Sequence, residues 1–416
     1  MEKYGLLGEK LGHSYSKLIH ELFGGYEYDL MPTPRDEVPD FMRAKAFRAI
    51  NVTIPYKETV MPYLDTISDN ALKIGSVNTI VKDEKGLLHG YNTDKYGFTQ
   101  LVKRSGIVIT GRKCLVLGSG GSSKTVRTAL SELGAREVRI ISRSGEDNYT
   151  NLSRHADAQV IVNTTPVGMY PNTGVAPLKL EGFPMCEGVL DLIYNPGKTA
   201  LLLDAEKRGI RCANGLHMLV AQAKLASELF RDVKLDDSII DNVRQQIERD
   251  THNIVLIGMP GSGKTTIGQC LADRLGRRLI DTDSIIPDLS GGMSAGEVIR
   301  TRGEKEFRKI ETQAICEAGK QSGCVIATGG GVVTQENNTD PLRQNSVIFF
   351  IDRPLDELEL GNDRPLSSTR EQTERLYQQR LPLYKALCDY SVDNIDLDKA
   401  VNDIIEKYNA HFEEVR

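Results

Sequence analysis

No run of 18 apolar residues occurs in the chain, and its first residues, MEKYGLLGEKLGHS, lack a basic stretch followed by an apolar one. Neither a membrane-spanning helix nor a secretory leader is expected, and the reading is a cytoplasmic protein that engages no membrane. Basic residues are in no excess: 52 Lys and Arg stand against 57 Asp and Glu, a net charge of −5. That argues against nucleic acid as a partner, so any anionic substrate must be met by local charges. The seven cysteines (114, 186, 212, 270, 316, 324 and 388) fall in no CxxC or Cys/His spacing. Disulfides and zinc are therefore not expected, and a reducing compartment fits. Tryptophan is absent, which says little about function, and repeats, low-complexity tracts and tails are lacking as well.

What is present describes an ordinary folded chain. Its 416 residues, 26% charged and 40% hydrophobic with 38 Gly, imply two or three domains at roughly 150 residues each. From residue 1 to about 107, YGLLG, SKLIHELF, YEYDLM, DEVPDFMRAKAF, AINVTIP and YKETVMPYLD alternate β-branched runs with helical patterns, an α/β arrangement. VNTIVKDEKGLLHGYNTD predicts two strands around a polar turn at Asp83–Gly86, forming the edge of a sheet, and a helix from Asp94. KCLVLGSGG, SKTVRTALSELGA and EVRIISRS then read as a βαβ unit, with strands QVIVNTTP and GVLDLIY and the helix NGLHMLVAQAKLASELF to follow. A new strand, NIVLIG, places a domain boundary near 248–252, and the last 165 or so residues again alternate strand and helix.

Gly118, Gly120 and Gly121 follow a strand and open a helix, so bare backbone and helix N–H groups can approach a pyrophosphate. A tight turn without a ligand is the alternative. The next strand ends in Ser142, Arg143 and Ser144 where an NAD site would carry an acidic residue. Arg143 can pair with a ribose phosphate, which favours NADP, although a surface arginine would look the same.

Polar residues cluster where the first domain's strands end: Ser14 and Ser16, Asn51, Thr53 and Lys57, Asn78 and Thr79, and Asp94. A lysine beside a carboxylate can give or take the proton of a carbinol during hydride transfer, while hydroxyl and amide groups fix a polyol. Lys57 and Asp94 form the candidate pair; spacing alone leaves a surface salt bridge equally open. The segments GHSYSKLIH, NVTIPYKE, GSVNT, YNTD, GSGGSS, NTTPVGM, DLIYNPGKT and NGLHMLVAQ, in this order across residues 1 to about 248, resemble shikimate dehydrogenase. The resemblance implies Lys57 and Asp94 as catalytic pair and Ser14, Ser16, Thr53, Asn78, Tyr194 and Gln222 as substrate ligands. It places Asp69, Gly118, Ser119, Gly120, Gly121, Ser122, Ser142, Arg143, Ser144, Leu192 and Gly215 along NADP(H). Lys17 stands where the family usually has Pro, the stretch from Ser16 to Asn51 is short, and SRS replaces the commoner NRT. Thr53 and Thr199 stand in positions usual for shikimate enzymes, while the motifs leave the choice between shikimate and quinate open.

GMPGSGKT, residues 258–265, follows a strand and opens a helix, the context of a phosphate-binding P-loop. Its N–H groups cradle phosphates, Lys264 reaches the β and γ oxygens, and the Thr265 hydroxyl completes a Mg²⁺ shell. In RRLIDTDSII two carboxylates lie two apart at a strand end, Asp281 suiting the metal and Asp283 a substrate hydroxyl. Arg308 in GEKEFRKIE, Gly329–Gly331 in ATGGG, Arg364 in NDRPL and Arg380 in QQRLPLY complete a pocket for a carboxylate and a transferring phosphate, although each arginine alone reads as a surface charge. GSGKTT, DTD, FRKIE, TGGG, DRPL and RLPLY together resemble shikimate kinase over residues 252–416. That implies Asp283, Arg308, Gly330 and Arg380 as shikimate ligands, with Asp283 accepting the attacking hydroxyl's proton. It implies ATP along Gly261, Ser262, Gly263, Lys264, Thr265 and Thr266, with Arg364 on a lid. LDELELGNDRPL lacks the arginine that usually precedes the lid, and the turn after YSVDN is short, so adenine contacts are not assigned.

The expected fold is α/β throughout. Residues 1–250 form a shikimate dehydrogenase-like part, with a substrate lobe (1–107), a Rossmann NADP lobe (108–215) and C-terminal helices (216–250). Residues 251–416 form a P-loop domain like the nucleoside monophosphate kinases, with a parallel sheet and a lid. The expected function is bifunctional: NADPH-dependent reduction of 3-dehydroshikimate, then ATP- and Mg²⁺-dependent phosphorylation of shikimate. The alternative is a quinate/shikimate dehydrogenase fused to a kinase-like domain that binds ligand without turnover. Partners are small molecules, and the sequence leaves a homo-oligomer open.

Overall fold

The computed structural model describes residues 3–12, 14–358 and 370–413. Two compact units result: one holds residues 1–168, 175–194 and 201–244, the other 169–174, 195–200 and 245–416.

The first unit begins with β1 (Tyr4–Gly8), α1 (Ser16–Phe23), β2 (Tyr28–Pro32), α2 (Val38–Ala44), β3 (Ala49–Val52), β4 (Thr66–Ile67), α3 (Asp69–Ile74), β5 (Thr79–Lys82), β6 (Leu88–Tyr91) and α4 (Asp94–Ser105). Its strands form one mixed sheet, ordered β2-β1-β3-β5-β6-β4. β5 and β6 are the expected hairpin, pairing antiparallel from Thr79 opposite Tyr91 to Lys82 opposite Leu88. The hairpin is not the edge: β4, two residues long, pairs with β6 at Thr66–His89 and Ile67–Gly90 and takes that place. YKETVMPYLD is not an α-helix either, since turns and a single 3₁₀ turn at Met61–Tyr63 replace it. Pro62 within this stretch lacks the N–H a continuing helix needs.

A second sheet follows from β7 (Lys113–Leu117), α5 (Gly121–Glu132), β8 (Glu137–Ile141), β9 (Val160–Asn163), β10 (Gly188–Asp191), α6 (Ala200–Lys207) and β11 (Arg211–Ala213). Its order is β11-β10-β9-β7-β8 and every pair is parallel. KCLVL is buried at all five positions, the unbroken apolar run of a strand covered on both faces. The order reverses at β7, between β8 and β9, which opens a ligand crevice at the carboxyl ends of those strands. The helices α7 (Leu216–Arg231) and α8 (Ser238–Thr251) follow. Gly97 of α4 faces α7 so closely that a Cβ there would lie 2.5 Å from Met218 O.

The second unit contains β12 (Asn253–Ile257), α9 (Lys264–Leu275), β13 (Leu279–Asp281), α10 (Ile286–Ser290), α11 (Ala295–Arg302), α12 (Glu304–Gly319), β14 (Val325–Ala327), α13 (Thr339–Arg343), β15 (Ser346–Asp352), α14 (Arg370–Leu387), β16 (Tyr390–Asp393) and α15 (Leu397–Glu413). Its parallel sheet runs β13-β14-β12-β15-β16, with the fully buried NIVLI strand at the centre. One face packs Leu256, Val347 and Phe349 against α9 and α15; the other packs Val255, Ile326 and Phe350 against α12 and α14. No helix among the described residues is long and apolar enough to cross a membrane.

Candidate active sites

In the first unit the strand ends gather the predicted polar residues. Asp94 occupies the first turn of α4, where the helix dipole favours an anion. Lys57 follows β3, and its carbonyl accepts from Val77 N at 2.8 Å. Lys57 Nζ donates to Asp94 Oδ2 at 2.6 Å, with both side chains largely buried. Asn78 Nδ2 donates to Asp94 Oδ1 at 2.9 Å and to Gln222 Oε1 at 3.4 Å. Gln222 reaches there from α7 because Gly97 allows α4 so close an approach. Ser14 and Ser16 hydroxyls lie 3.0 Å apart at the start of α1. Thr53 N donates to Leu7 O at 2.9 Å. The Tyr194 ring packs against Tyr15 at 5.1 Å, and burial, with Tyr15 alongside, pushes its phenol up to about 12. Thr93, not singled out in the sequence, belongs to this set: it is buried and its hydroxyl donates to Gln222 Oε1 at 3.2 Å. Its place in YNTD beside Asp94 was the available signal.

The glycine turn is built for backbone approach. Gly118 has φ 105° and its N–H donates to Ile141 O at 2.8 Å. A Cβ on Gly120 or Gly121 would meet no atom within 4 Å, so the N-terminus of α5 faces open space that a pyrophosphate fits. Ser119 is exposed and Ser122 half-buried beside them, while Ser123 Oγ donates to Gly120 O at 2.9 Å. Arg143 and Ser144 are exposed after β8, and Ser142 N donates to Asp147 O at 3.1 Å. Leu192 O lies 2.1 Å from where a Gly215 Cβ would be, so only glycine fits there. Asp69 is exposed in the first turn of α3. These groups fit NADP.

In the second unit a cavity of about 250 Å³ opens at the P-loop. Gly258, Gly261 and Gly263 have φ of 152°, 79° and 89°, backbone that only glycine adopts readily. Lys264 Nζ donates to Gly258 O at 3.0 Å and Met259 O at 2.8 Å, which holds the loop curled. Ser262 Oγ is buried without a hydrogen-bond partner among the described residues, and Thr266 is exposed. The loop fits a nucleotide phosphate chain. Thr265 Oγ1 donates to Asp281 Oδ2 at 2.9 Å, and Asp281 Oδ1 accepts from Asp283 N at 3.0 Å. No group of three or more metal-ligating His, Cys, Asp or Glu occurs among the described residues. A hydroxyl and one carboxylate still suit Mg²⁺, which keeps most of its waters and takes phosphate oxygens.

Asp283, Arg308 and Arg380 line the same cavity. Arg308 is held by Glu311 at 2.8 Å and Glu304 at 3.0 Å. Burial raises the Glu311 carboxyl above its ordinary range against the pull of Arg308. Glu311 went unread in the sequence, although its spacing of three from Arg308 puts both on one helix face. Arg380 Nη1 donates to Gly330 O at 3.1 Å, and Tyr384 OH donates to the same oxygen. The glycines are required by contact: a Cβ on Gly330 would lie 2.5 Å from Pro260 Cδ, and one on Gly331 would overlap Arg308. Asn394 Nδ2 braces the P-loop from Ser262 O at 2.7 Å across 132 residues of sequence, a contact no local pattern reveals. Arg364 lies outside the described residues.

A Rossmann lobe beside a lysine–carboxylate cleft defines the first unit as a dehydrogenase of the two-lobed α/β class, and the second is a P-loop kinase fold. Comparison with known proteins narrows both. Residues 6–80 match the shikimate dehydrogenase substrate binding domain and residues 260–409 match shikimate kinase. A shikimate dehydrogenase (NADP(+)) of Clostridium perfringens is 36% identical over 270 residues, 60% of this chain and 99% of the relative. Among solved structures, shikimate dehydrogenase 1 from Peptoclostridium difficile has 36% identity and TM-score 0.56, covering 59% of this chain and 98% of its own. Shikimate 5-dehydrogenase from Thermus thermophilus, solved in complex with NADP(H) and shikimate, has 33% identity and TM-score 0.54, covering 59% and 99%. The chain belongs to the shikimate dehydrogenase family and carries, in addition, a shikimate kinase domain.

Proposed function

We propose that the protein carries out two consecutive reactions: NADPH-dependent reduction of 3-dehydroshikimate to shikimate, and Mg²⁺- and ATP-dependent phosphorylation of shikimate to shikimate 3-phosphate. The dehydrogenase part spans residues 1–250 and the kinase part 251–416. The observation that carries the first reaction is the 2.6 Å Lys57–Asp94 pair beside Asn78 and Gln222. For the second it is the P-loop cavity shared by Asp283, Arg308 and Arg380.

Lys57 Nζ gives a proton to the substrate's carbonyl oxygen as it becomes a hydroxyl, and Asp94 orients that ammonium. Ser14, Ser16, Thr53, Asn78, Tyr194 and Gln222 together hold the substrate carboxylate and hydroxyls. In the kinase, Arg308 and Arg380 bind the shikimate carboxylate with their guanidinium forks, and the Gly330 backbone adds a further contact. Asp283 accepts the proton of the attacking hydroxyl, and Lys264 neutralises charge on the transferring group. When bound, NADPH supplies the hydride and Mg²⁺-ATP the phosphoryl group. Shikimate-dependent NADP⁺ reduction and shikimate-dependent ADP release, assayed separately on one preparation, test the reading; failure of either removes that half.

A further inference from the structure

Behind the Lys57–Asp94 pair runs a buried relay of polar side chains that the two reactions above do not use. Tyr28 and Thr79 are 0% exposed and Asn51 5%, and the side-chain polar atoms of all three are spent on one another and on Asn78. The Tyr28 hydroxyl donates to Asn51 Oδ1 at 2.8 Å, which turns the Asn51 amide nitrogen toward Thr79 Oγ1 at 3.1 Å and Asn78 O at 3.3 Å. With its oxygen accepting from Asn51, Thr79 directs its own proton to Asn78 Oδ1 at 3.1 Å. The Thr93 N–H reaches that same oxygen at 2.7 Å. Both donors force the Asn78 amide nitrogen toward Asp94 Oδ1, leaving Oδ2 for Lys57. Reversing the Asn78 amide would set a carbonyl oxygen against a carboxylate, and each amide in a buried series is oriented only as firmly as its neighbour. The His20 ring, stacked on Tyr28 at 4.0 Å and 3°, fixes the far end.

We propose that Asn51 and Thr79, anchored by Tyr28, are positioning residues of the dehydrogenase: through Asn78 they act on Asp94. This rests on the dehydrogenase reading of the first unit. The test measures shikimate-dependent NADP⁺ reduction by the full chain. Thr79→Val deletes the hydroxyl at similar size and lowers kcat about tenfold, while KM for NADP⁺ stays within about twofold. Thr79→Ser restores the hydroxyl and returns kcat to within about threefold of the parent. Tyr28→Phe lowers kcat in the same direction and by less. Calorimetric NADP⁺ binding reports which variants are folded; if Thr79→Val no longer binds, Tyr28→Phe decides. Parental kcat in a folded Thr79→Val or Tyr28→Phe protein, or a Thr79→Ser kcat as low as that of Thr79→Val, overturns the positioning role. A parent chain that does not reduce NADP⁺ with shikimate contradicts the dehydrogenase reading itself.

Discussion

Lys57 and Asp94 lie 37 residues apart in sequence, yet their side chains meet at 2.6 Å because a strand end and a helix start converge on one cleft. Lys57→Met keeps much of the side chain's length and removes the proton donor, so dehydrogenase kcat should fall about 10²- to 10⁴-fold with NADP⁺ binding retained. NADPH absorbance and calorimetric binding check both halves. In the kinase, Gly330→Ala drives a methyl to 2.5 Å from Pro260 Cδ and 2.8 Å from Pro260 N. The Gly330 loop must shift, and KM for shikimate is expected to rise about tenfold or more, with NADP⁺ reduction unchanged in the same preparation. Residues of this kind were legible because each stands in a short motif at a strand end. Thr93, Glu311 and Asn394 were less so: the Thr93 hydroxyl bonds Gln222, 129 residues away, and Asn394 braces Ser262 across 132 residues.

At the scale of elements, the parallel sheets were readable from buried runs such as KCLVL and NIVLI, each followed by a glycine turn and a helix. What escaped was decided by pairing. The edge strand β4 has two residues, too few for any alternation to show, and it converts the β5–β6 hairpin from an edge into an interior pair. Helix α1 carries a consequence of its own packing. His20 is fully buried between Tyr28 and Phe230, and burial, eased by Asn51 and reinforced by Arg231, lowers its imidazole from 6.5 to about 3. The unfolded chain therefore binds a proton below about pH 6.5 that the folded helix does not, so stability is fully present above 6.5 and declines as pH falls toward 3. The decline amounts to about 1.4 kcal/mol per pH unit for one such group. Urea unfolding followed by circular dichroism from pH 7 to 4 should show the loss, and His20→Phe should flatten it. An unchanged slope would assign the acid sensitivity elsewhere, with His217, lowered to about 4 by burial, the next candidate in this unit.

At the scale of the whole molecule, one chain joins a shikimate dehydrogenase part to a shikimate kinase part, and in the proposed function shikimate is the product of the first and the substrate of the second. The two cannot substitute for one another: the first unit has no P-loop, and the second has no lysine–carboxylate cleft beside a Rossmann turn among its described residues. Lys57→Met should thus slow phosphate-ester formation from 3-dehydroshikimate as much as it slows the reduction, while leaving phosphorylation of added shikimate intact, a split that mass spectrometry of the products reads directly. The most direct measurement mixes the purified chain with 3-dehydroshikimate, NADPH, ATP and Mg²⁺ and follows NADPH absorbance and products together. Shikimate 3-phosphate forming only with ATP, and shikimate accumulating without it, is the predicted result. NADPH consumption without any phosphate ester would contradict the kinase assignment, and unchanged NADPH would contradict the dehydrogenase assignment on which the sequence of reactions depends.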